Sequence, residues 1–289
     1  MSNFAGTMNQ ELKTYNSKRA LFDINFKEFW SYRDLLLLFV KRDFVSIYKQ
    51  TILGPLWFFI QPLMTTIMFT IVFGSIANIK VDGSPRFLFY LAGITMWNYF
   101  SECVLKTSKT FIENADIFGK VYFPRLVMPS SIVISNLLRF GVQFFLFIIF
   151  YSYYFFTGGN VNPNSYAFLL PVLILIMAFL GLGFGLIISS LTTKYRDLQF
   201  LMGFIIQLAM YGSAIIYPIS SLESILGEHF WLTYLNPVIY IIETFKYGFL
   251  GTGTLDLTGL AISFGFSVII LFLGVLTFNK VERAFMDTV

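Results

Sequence analysis

The stretch YAFLLPVLILIMAFLGLGFGLIISSL, residues 166–191, contains no Asp, Glu, Lys or Arg. A run of about 20 apolar residues is enough to cross the hydrocarbon core of a bilayer as an α-helix. The rest of the chain has a similar composition, because 56% of its 289 residues are hydrophobic and only 12% are charged, against about 25% in soluble domains. With a mean hydropathy of +0.72, the sequence predicts an all-α membrane protein.

Five further apolar runs have a length close to one bilayer crossing. They are residues 53–77, 87–104, 126–156, 198–217 and 260–278. With 166–191 they predict a polytopic protein of six transmembrane helices. The predicted domains are a cytoplasmic N-terminal region over residues 1–51, a transmembrane domain over 52–283 and a cytoplasmic tail over 284–289.

Positive charge is distributed unevenly between the two sides of this topology. With the N-terminus in the cytoplasm, 16 Lys and Arg residues lie inside, and three, Lys80, Arg86 and Lys246, lie outside. Cytoplasmic loops are enriched in Lys and Arg, so we expect both termini in the cytoplasm. The same rule accounts for the net charge of +4 and the pI near 9.0 without a nucleic-acid partner.

Residues 26–49 contain an apolar run, 35–40, that is flanked on both sides by charged residues. Six apolar residues are too few to cross a bilayer, and the pattern favours an amphipathic helix that lies at the cytoplasmic interface. A membrane anchor and a docking element both fit this pattern.

Residues 218–251, on the outer side, contain several apolar pieces that are too short to span and are separated at Asn236-Pro237. Proline interrupts a helix, so this segment is expected to form short re-entrant helices between spans five and six. Irregular backbone at membrane depth is tolerated only against protein or a water-filled cavity. The segment is therefore a candidate gate beside a translocation path.

The residues required for several kinds of chemistry are missing from the sequence. It has no GxxxxGK[ST] motif, because its only Gly-Lys pair, Gly119-Lys120, is followed by Val121. The chain is therefore expected neither to hydrolyse ATP nor to be an enzyme. A single histidine and a single cysteine, Cys103, offer no metal site, no disulfide and no nucleophile–base pair.

Two charged residues lie within the predicted spans, Glu102 in the second and Arg139 in the third. A charge at the centre of a membrane helix costs about 2.5–3.5 kcal/mol on insertion scales, and such residues often mark functional sites. We expect the two side chains to form an intramembrane ion pair. With so few membrane charges, an ion-coupled carrier is disfavoured.

Aromatic residues are unusually frequent, at 19% of the chain. Most Phe side chains are expected to face lipid or the bilayer interface. Tyr and Trp combine an apolar face with a hydrogen-bonding edge, which suits sliding contact with sugar rings. The candidate channel-lining residues are Trp57, Phe58, Phe59, Trp97, Tyr99, Phe100, Tyr211 and Tyr217.

Five stretches resemble the permease subunit of type-2 ABC exporters, in the branch that exports O-antigen, other polysaccharides and polyol phosphates. They are 53–74 with GPLWFFIQP, 90–100 (YLAGITMWNYF), 114–129 (NADIFGKVYFPRLVMP), 195–197 (YRD) and 235–251 (LNPVIYIIETFKYGFLG). They occur in the family's order and are distributed along the chain from residue 53 to residue 251. Two positions depart from the family pattern, which often has proline where Ala214 stands and arginine where Lys246 stands.

The resemblance implies a homodimer that binds two separate ATPase subunits, with ATP and Mg held by those subunits and no cofactor held by this chain. It identifies residues 105–125 as the coupling segment that docks on the ATPase. The candidate coupling residues are Glu113, Asp116, Lys120, Arg125 and Arg42.

The implied function is export of an undecaprenyl-linked glycan, with O-antigen as the first choice, across the bacterial inner membrane, where the chain is surrounded by lipid. Teichoic acid, capsule, a drug or a small lipid are alternative substrates. Two other classes of protein are alternatives: a self-contained channel or ion-coupled carrier, and a membrane-embedded glycosyl- or acyltransferase. The latter would normally need several acidic or histidine residues at the membrane face.

Overall fold

The structure, a computed structural model, describes residues 26–48, 53–118 and 120–286 of the chain. These ranges are predominantly helical. The α-helices are α1 (Phe26–Ser31), α2 (Arg33–Tyr48), α3 (Trp57–Phe69), α4 (Arg86–Thr107), α5 (Thr110–Glu113), α6 (Ala115–Phe118), α7 (Val127–Phe156), α8 (Leu170–Thr192), α9 (Leu198–Tyr211), α10 (Ile219–Leu226), α11 (Pro237–Leu250) and α12 (Leu257–Met286).

Within the described ranges, four helical stretches are long and apolar enough to cross a membrane. They are Trp57–Ile76, Val127–Phe156, Ser165–Thr192 and Leu257–Val281. These stretches coincide with the first, third, fourth and sixth predicted runs. The first joins α3 to a π-helical extension, and the third joins a short 3-10 turn to α8. The prediction of an all-α membrane protein is confirmed at this level.

Helix α4, the second predicted run, is less apolar because it carries Arg86, Glu102 and Lys106. Nevertheless 16 of its 22 residues are buried, because it packs against α3, α7, α8 and α11. A helix that is enclosed by protein over most of its surface can carry polar groups that a lipid-facing helix cannot. Helix α4 is thus the centre of the bundle.

Helix α9 is shorter than the predicted run 198–217. Its 14 residues span about 21 Å at 1.5 Å per residue, less than the hydrocarbon thickness of about 30 Å. The helix ends at Gly212, and Ala214 two residues later has a left-handed backbone with φ of 53°. This conformation is uncommon for a residue with a side chain, and it cannot continue a right-handed helix.

Glycines on two faces of α8 allow neighbouring helices to approach closely. A Cβ atom on Gly181 or Gly185 would collide with Cys103 or Thr107 of α4, and one on Gly183 would lie 2.7 Å from the backbone of Ile270 in α12. Small residues at such spacing allow close packing of membrane helices. The glycines are therefore packing residues that fix α8 between α4 and α12.

The segment predicted as one interfacial helix over 26–49 forms two helices, α1 and α2, which are separated at Tyr32. Helix α2 buries Leu36, Phe39 and Val40 in a core shared with α7 and α12, and exposes Leu37 and Leu38 on the other face. It is thus docked on protein along one face and presents apolar side chains to its surroundings on the other.

Candidate functional site

A charged surface lies between the end of α4 and the start of α7, and we call its exposed residues Glu113, Asp116 and Lys120 the coupling surface, after their predicted role. Phe111 and Phe118 are buried beneath it, and the Phe111 ring stacks on Phe278 of α12 with centroids 4.4 Å apart. These aromatic anchors fix the two short helices α5 and α6 on the bundle. The predicted coupling residues that they leave exposed are Glu113, Asp116 and Lys120.

Arg42 of α2 lies next to the start of α7. Its Nη2 atom is 2.8 Å from Oδ1 of Asp43 and 3.8 Å from the Met128 sulfur, and its guanidinium lies 4.9 Å from the centroid of the Phe39 ring. Part of the side chain remains exposed. Phe39 in turn packs on Phe123, with centroids 5.7 Å apart. Arg42 is therefore held beside the coupling surface and is still accessible.

Arg125 differs from the other predicted coupling residues because it is only 6% exposed. Its guanidinium lies over the ring of Phe118, 5.3 Å from the centroid. A side chain buried in this way supports the coupling surface from beneath. That Arg125 takes part in coupling to an ATPase stays a prediction, and its contact with the Phe118 ring favours a supporting role.

The predicted channel aromatics separate into two groups. At the start of α3, Trp57 is 49% exposed, while Phe58 and Phe59 are half-buried. At the end of α9, Tyr211 is 44% exposed, and the half-buried Tyr217 donates its hydroxyl hydrogen to the Tyr211 carbonyl oxygen. Four of these residues lie on α3 or α9, Tyr217 lies in the connection after α9, and all five are at least partly exposed on the single chain.

The three aromatics predicted from the second run do not belong to this group. Trp97, Tyr99 and Phe100 are all buried in the main core around α4. The Trp97 and Phe100 rings lie 5.4 Å apart, and Tyr99 packs on Phe140 at 5.5 Å. Within this single chain the three side chains are packing residues of the core. Their role in lining a channel stays a prediction, which this burial does not favour.

Glu102 and Arg139 lie together, with Arg139 Nη1 3.1 Å from Glu102 Oε2. The same carboxylate oxygen is also 2.5 Å from Lys106 Nζ, one helical turn along α4. Phe58 covers the Arg139 guanidinium, with the centroid of its ring 5.3 Å away. Lys106 falls within the predicted coupling segment 105–125, but the structure places it in the last turn of α4. The i,i+4 spacing of Glu102 and Lys106 indicates that they share one helix face.

Two charged residues on α11 form a second buried ion pair, which was not predicted from the sequence. Glu243 and Lys246 are 3% and 1% exposed, with Lys246 Nζ 3.8 Å from Glu243 Oε1. Lys246 Nζ donates to the Ala214 carbonyl oxygen at 2.6 Å and lies 3.5 Å from the centroid of the Phe89 ring. Glu243 Oε1 accepts a hydrogen bond from the Ile219 backbone N–H at 3.2 Å. The i,i+3 pair of opposite charges in an otherwise apolar helix was the available clue.

This buried pair holds both ends of the irregular connection between α9 and α10. Lys246 bonds the Ala214 carbonyl and Glu243 the N–H of Ile219, and Asn236 Nδ2 donates to the carbonyl oxygen of Gly212 at 2.8 Å. The two departures from the family pattern, Ala214 and Lys246, are thus in direct contact. A proline, whose φ is fixed near −65°, could not adopt the φ of 53° seen at Ala214.

Farther out, Tyr234 and Asp256 join the outer segment to the start of α12. The Tyr234 hydroxyl donates to Asp256 Oδ2 at 3.0 Å, and this hydrogen bond raises the pKa of the Tyr234 hydroxyl. Asp256 Oδ1 accepts from the backbone N–H of Gly259. The segment 218–251 is therefore attached by hydrogen bonds to the end of α9 and the start of α12, and to α4 by the contact of Lys246 with the Phe89 ring.

Comparison with known proteins identifies relatives of the whole helical bundle. The chain is 26% identical to the O-antigen export system permease protein RfbA of Klebsiella pneumoniae over 255 residues, which covers 88% of this chain and 94% of that protein. It is 26% identical over 220 residues to the O-antigen export system permease protein RfbA of Myxococcus xanthus, with coverage of 76% and 82%.

A more distant relative is the capsule polysaccharide export inner-membrane protein CtrC of Neisseria meningitidis, 22% identical over 218 residues, with coverage of 73% of this chain and 77% of that protein. The family model described as ABC-2 type transporter matches residues 34–250, a range that includes α2, the coupling surface and α11. Because this match extends over most of the sequence, the chain belongs to the ABC-2 type transporter family.

Proposed function

We propose that this chain is the membrane-spanning subunit of an ABC transporter that exports a lipid-linked polysaccharide, O-antigen as the first choice, across the bacterial inner membrane. The observation that carries the proposal is the similarity along most of the chain to two permeases named for O-antigen export. The family match supplies the transporter class. Energy would come from a separate ATPase subunit that holds ATP and Mg.

The proposed topology has six spans with both termini in the cytoplasm. Four spans are the long apolar stretches, and α4 and α9 provide the second and fifth. The 22 residues of α4 correspond to about 33 Å, enough for one crossing. Helix α9 is too short on its own, so the irregular connection after it completes the crossing. Helices α10 and α11 would then be the re-entrant outer elements, and α1 and α2 would lie at the cytoplasmic interface.

A homodimer is proposed because α3 and α9 each present large apolar side chains that this chain leaves uncovered. Isolated exposed apolar residues are ordinary, but a contiguous stripe marks a protein or lipid contact. On α9 the exposed residues recur at helical spacing. The exposed side chains on these two helices include Trp57, Met64, Met68, Phe200, Phe204, Leu208 and Tyr211. A second copy facing α3 and α9 would enclose a path between the two chains.

The aromatic residues on these faces are proposed to line that path. A long polymer has to slide, so weak repeated contacts with aromatic faces suit it better than deep polar sites. Single cysteines at Trp57, Tyr211 and Tyr217 in a Cys103→Ala background would react with a water-soluble thiol reagent if they face a wet path. Uniform protection, with normal export by a Tyr211→Ala, Tyr217→Ala variant, would contradict the proposed lining.

The coupling surface is proposed to dock on the ATPase, with one ATPase subunit for each copy of this chain. Glu113, Asp116 and Lys120 are exposed on short helices that are anchored by buried aromatic rings, so a force applied to them is transmitted to α4, α7 and α12. Arg42 extends the same surface from α2.

Capsule polysaccharide and teichoic acid remain alternative cargoes, and the Neisseria relative named for capsule export favours the first of these. A drug or small lipid is a more distant alternative. The test is a deletion strain analysed for surface polysaccharide and for lipid-linked intermediates. We expect the surface polymer to disappear and one lipid-linked polymer to accumulate inside, with both effects reversed by the intact gene. A strain with unchanged surface glycan would refute the proposal.

A further inference from the structure

A small polar cavity lies within the bundle where α3, α4 and α7 meet. Its volume is about 80 Å³, which is room for two or three water molecules at about 30 Å³ each or for one group of similar size. The polar side chains that line it include Gln61, Asn98, Glu102, Arg139 and Gln143. Polar residues at membrane depth are costly and usually serve a function.

The two charged residues that line this cavity, Arg139 and Glu102, balance each other, and a further cation, Lys106, lies beside the lining and contacts Glu102. Arg139 and Lys106 both contact one carboxylate oxygen of Glu102, at 3.1 Å and 2.5 Å. Two cations beside one carboxylate leave an excess of one positive charge. In surroundings of low dielectric constant such a charge attracts an anion strongly, and a guanidinium group matches the oxygen geometry of phosphate.

Amide side chains add neutral hydrogen-bonding groups around the cations. Asn98 Nδ2 donates to Gln143 Oε1 at 3.2 Å, and Asn136 Oδ1 lies 3.4 Å from Lys106 Nζ. The amide of Gln143 keeps its nitrogen as a donor, and Gln61 on α3 is exposed at the edge of the cavity. A bound anion would therefore meet both positive charge and neutral donors.

The cavity lies at a depth that a lipid headgroup can reach. Glu102 is five residues before the end of α4 at Thr107, which corresponds to about 8 Å along the helix. In the proposed topology this is the inner end, so the cavity is near the boundary between headgroups and acyl chains of the inner leaflet. The Glu102 and Lys106 side chains are 42% and 36% exposed, so the cavity opens to the outside of the chain.

We propose that this cavity, the anion cleft, binds the diphosphate of a lipid in the inner leaflet, with Arg139 in its lining and Lys106 beside that lining as the cationic ligands. The inference rests on the proposed function for the identity of that lipid, the lipid-linked glycan before its transfer. The cleft would hold the phosphate end of the substrate, while the aromatic path contacts the sugars.

If Glu102 and Arg139 only stabilised the fold, replacing either residue should have the same effect on anion binding. The presence of Lys106 allows this case to be distinguished from an anion-binding role. In Arg139→Gln the Glu102 carboxylate keeps Lys106 as a partner, so the fold is retained while the positive excess is lost. In Glu102→Gln the excess increases. Anion binding should therefore weaken in the first variant and strengthen in the second. Arg86→Gln, at the other end of α4, removes the same charge without touching the cleft and is the matched control.

The experiment measures the dissociation constant of farnesyl diphosphate for the purified full-length chain in detergent by microscale thermophoresis. We expect Arg139→Gln to weaken binding about tenfold, as for the loss of one hydrogen bond to a charged group. Glu102→Gln should bind more tightly than the unchanged chain, and Arg86→Gln should bind equally. Size-exclusion chromatography verifies that each variant is folded and has the same oligomeric state.

Binding of three further ligands distinguishes a lipid diphosphate from free diphosphate and from an ordinary phospholipid headgroup. Farnesol, inorganic diphosphate and dioctanoyl phosphatidylglycerol should each bind more weakly than farnesyl diphosphate. Equal binding of farnesol, or an equal loss of affinity in Arg139→Gln and Glu102→Gln, would overturn the anion cleft. Tighter binding of inorganic diphosphate or phosphatidylglycerol would overturn its assignment to a lipid diphosphate. Failure of the proposed function is detected separately, because the surface glycan of a deletion strain does not depend on these constants.

Discussion

Replacing Lys246 by methionine removes one charge from the buried group that holds the connection between α9 and α10. Methionine is similar in length to lysine and apolar, so the packing on Phe89 is largely retained. The carboxylate of Glu243, which is 3% exposed, would be left without its cationic neighbour. The Ala214 carbonyl oxygen would lose the hydrogen bond that it accepts from Lys246 Nζ.

The expected loss of folding stability in Lys246→Met follows from the burial of Glu243. Breaking a buried ion pair by removing one partner costs about 3–5 kcal/mol. For a domain of about 150–250 residues, each kcal/mol lowers the melting temperature by about 2–4 °C, so Lys246→Met should melt roughly 6–20 °C lower. In Lys246→Met, Glu243→Gln no charge is stranded, and the glutamine oxygen can still accept from the Ile219 N–H. The double variant should therefore recover most of the loss.

The assay is thermal unfolding of the purified chain in detergent, followed by tryptophan fluorescence, for the unchanged protein, both single variants and the double variant. Lys246→Arg, which keeps the charge, serves as the conservative control and should lose much less stability than Lys246→Met. A coupling energy of about 2 kcal/mol or more between positions 243 and 246 is expected for residues in contact. Strictly additive losses would show that the buried pair does not stabilise the connection.

Two further predictions concern the coupling surface and helix packing. A Glu113→Lys, Asp116→Lys double variant should insert normally but lower polysaccharide export several-fold, measured as surface polymer per amount of membrane protein, and normal export would argue against docking there. Gly183→Leu should lower the melting temperature because overpacking costs about 1–3 kcal/mol or more. Gly203→Leu is its control, since no atom lies within 4 Å of a Cβ at Gly203, and equal melting temperatures for the two variants would contradict the packing of α8 on α12.

Apolar run length predicted the lipid-crossing helices closely. The run 126–156 corresponds to α7 (Val127–Phe156), and 166–191 to the stretch Ser165–Thr192. Both are continuous in the sequence because every turn has to be apolar toward lipid. Run length failed for the fifth helix, because a backbone break at Ala214 is set by contacts from α11 that are distant in the sequence.

Hydropathy also could not distinguish apolar residues that face lipid from those that face protein. The sequence pattern predicted a channel-lining role for Trp97, Tyr99 and Phe100, but in the structure these side chains are packed in the core around α4. Arg125 was predicted to be a coupling residue at the surface, but its side chain is buried over the Phe118 ring. Which face a residue presents depends on tertiary packing. The ion pair of Glu102 with Arg139 could be predicted because charged residues within apolar runs are rare. The additional contact of Lys106 with Glu102 became evident only from the structure, which extends α4 as far as Lys106.

The central claim, that this chain provides the membrane path for a lipid-linked polysaccharide, is tested most directly in inverted membrane vesicles. The vesicles would contain this chain and its ATPase partner, with radiolabelled lipid-linked polymer in the outward-facing leaflet and a glycan-degrading enzyme added outside. The account predicts that ATP makes the polymer resistant to the enzyme only when both proteins are present. Equal protection in vesicles that lack this chain, or protection without the ATPase, would contradict it.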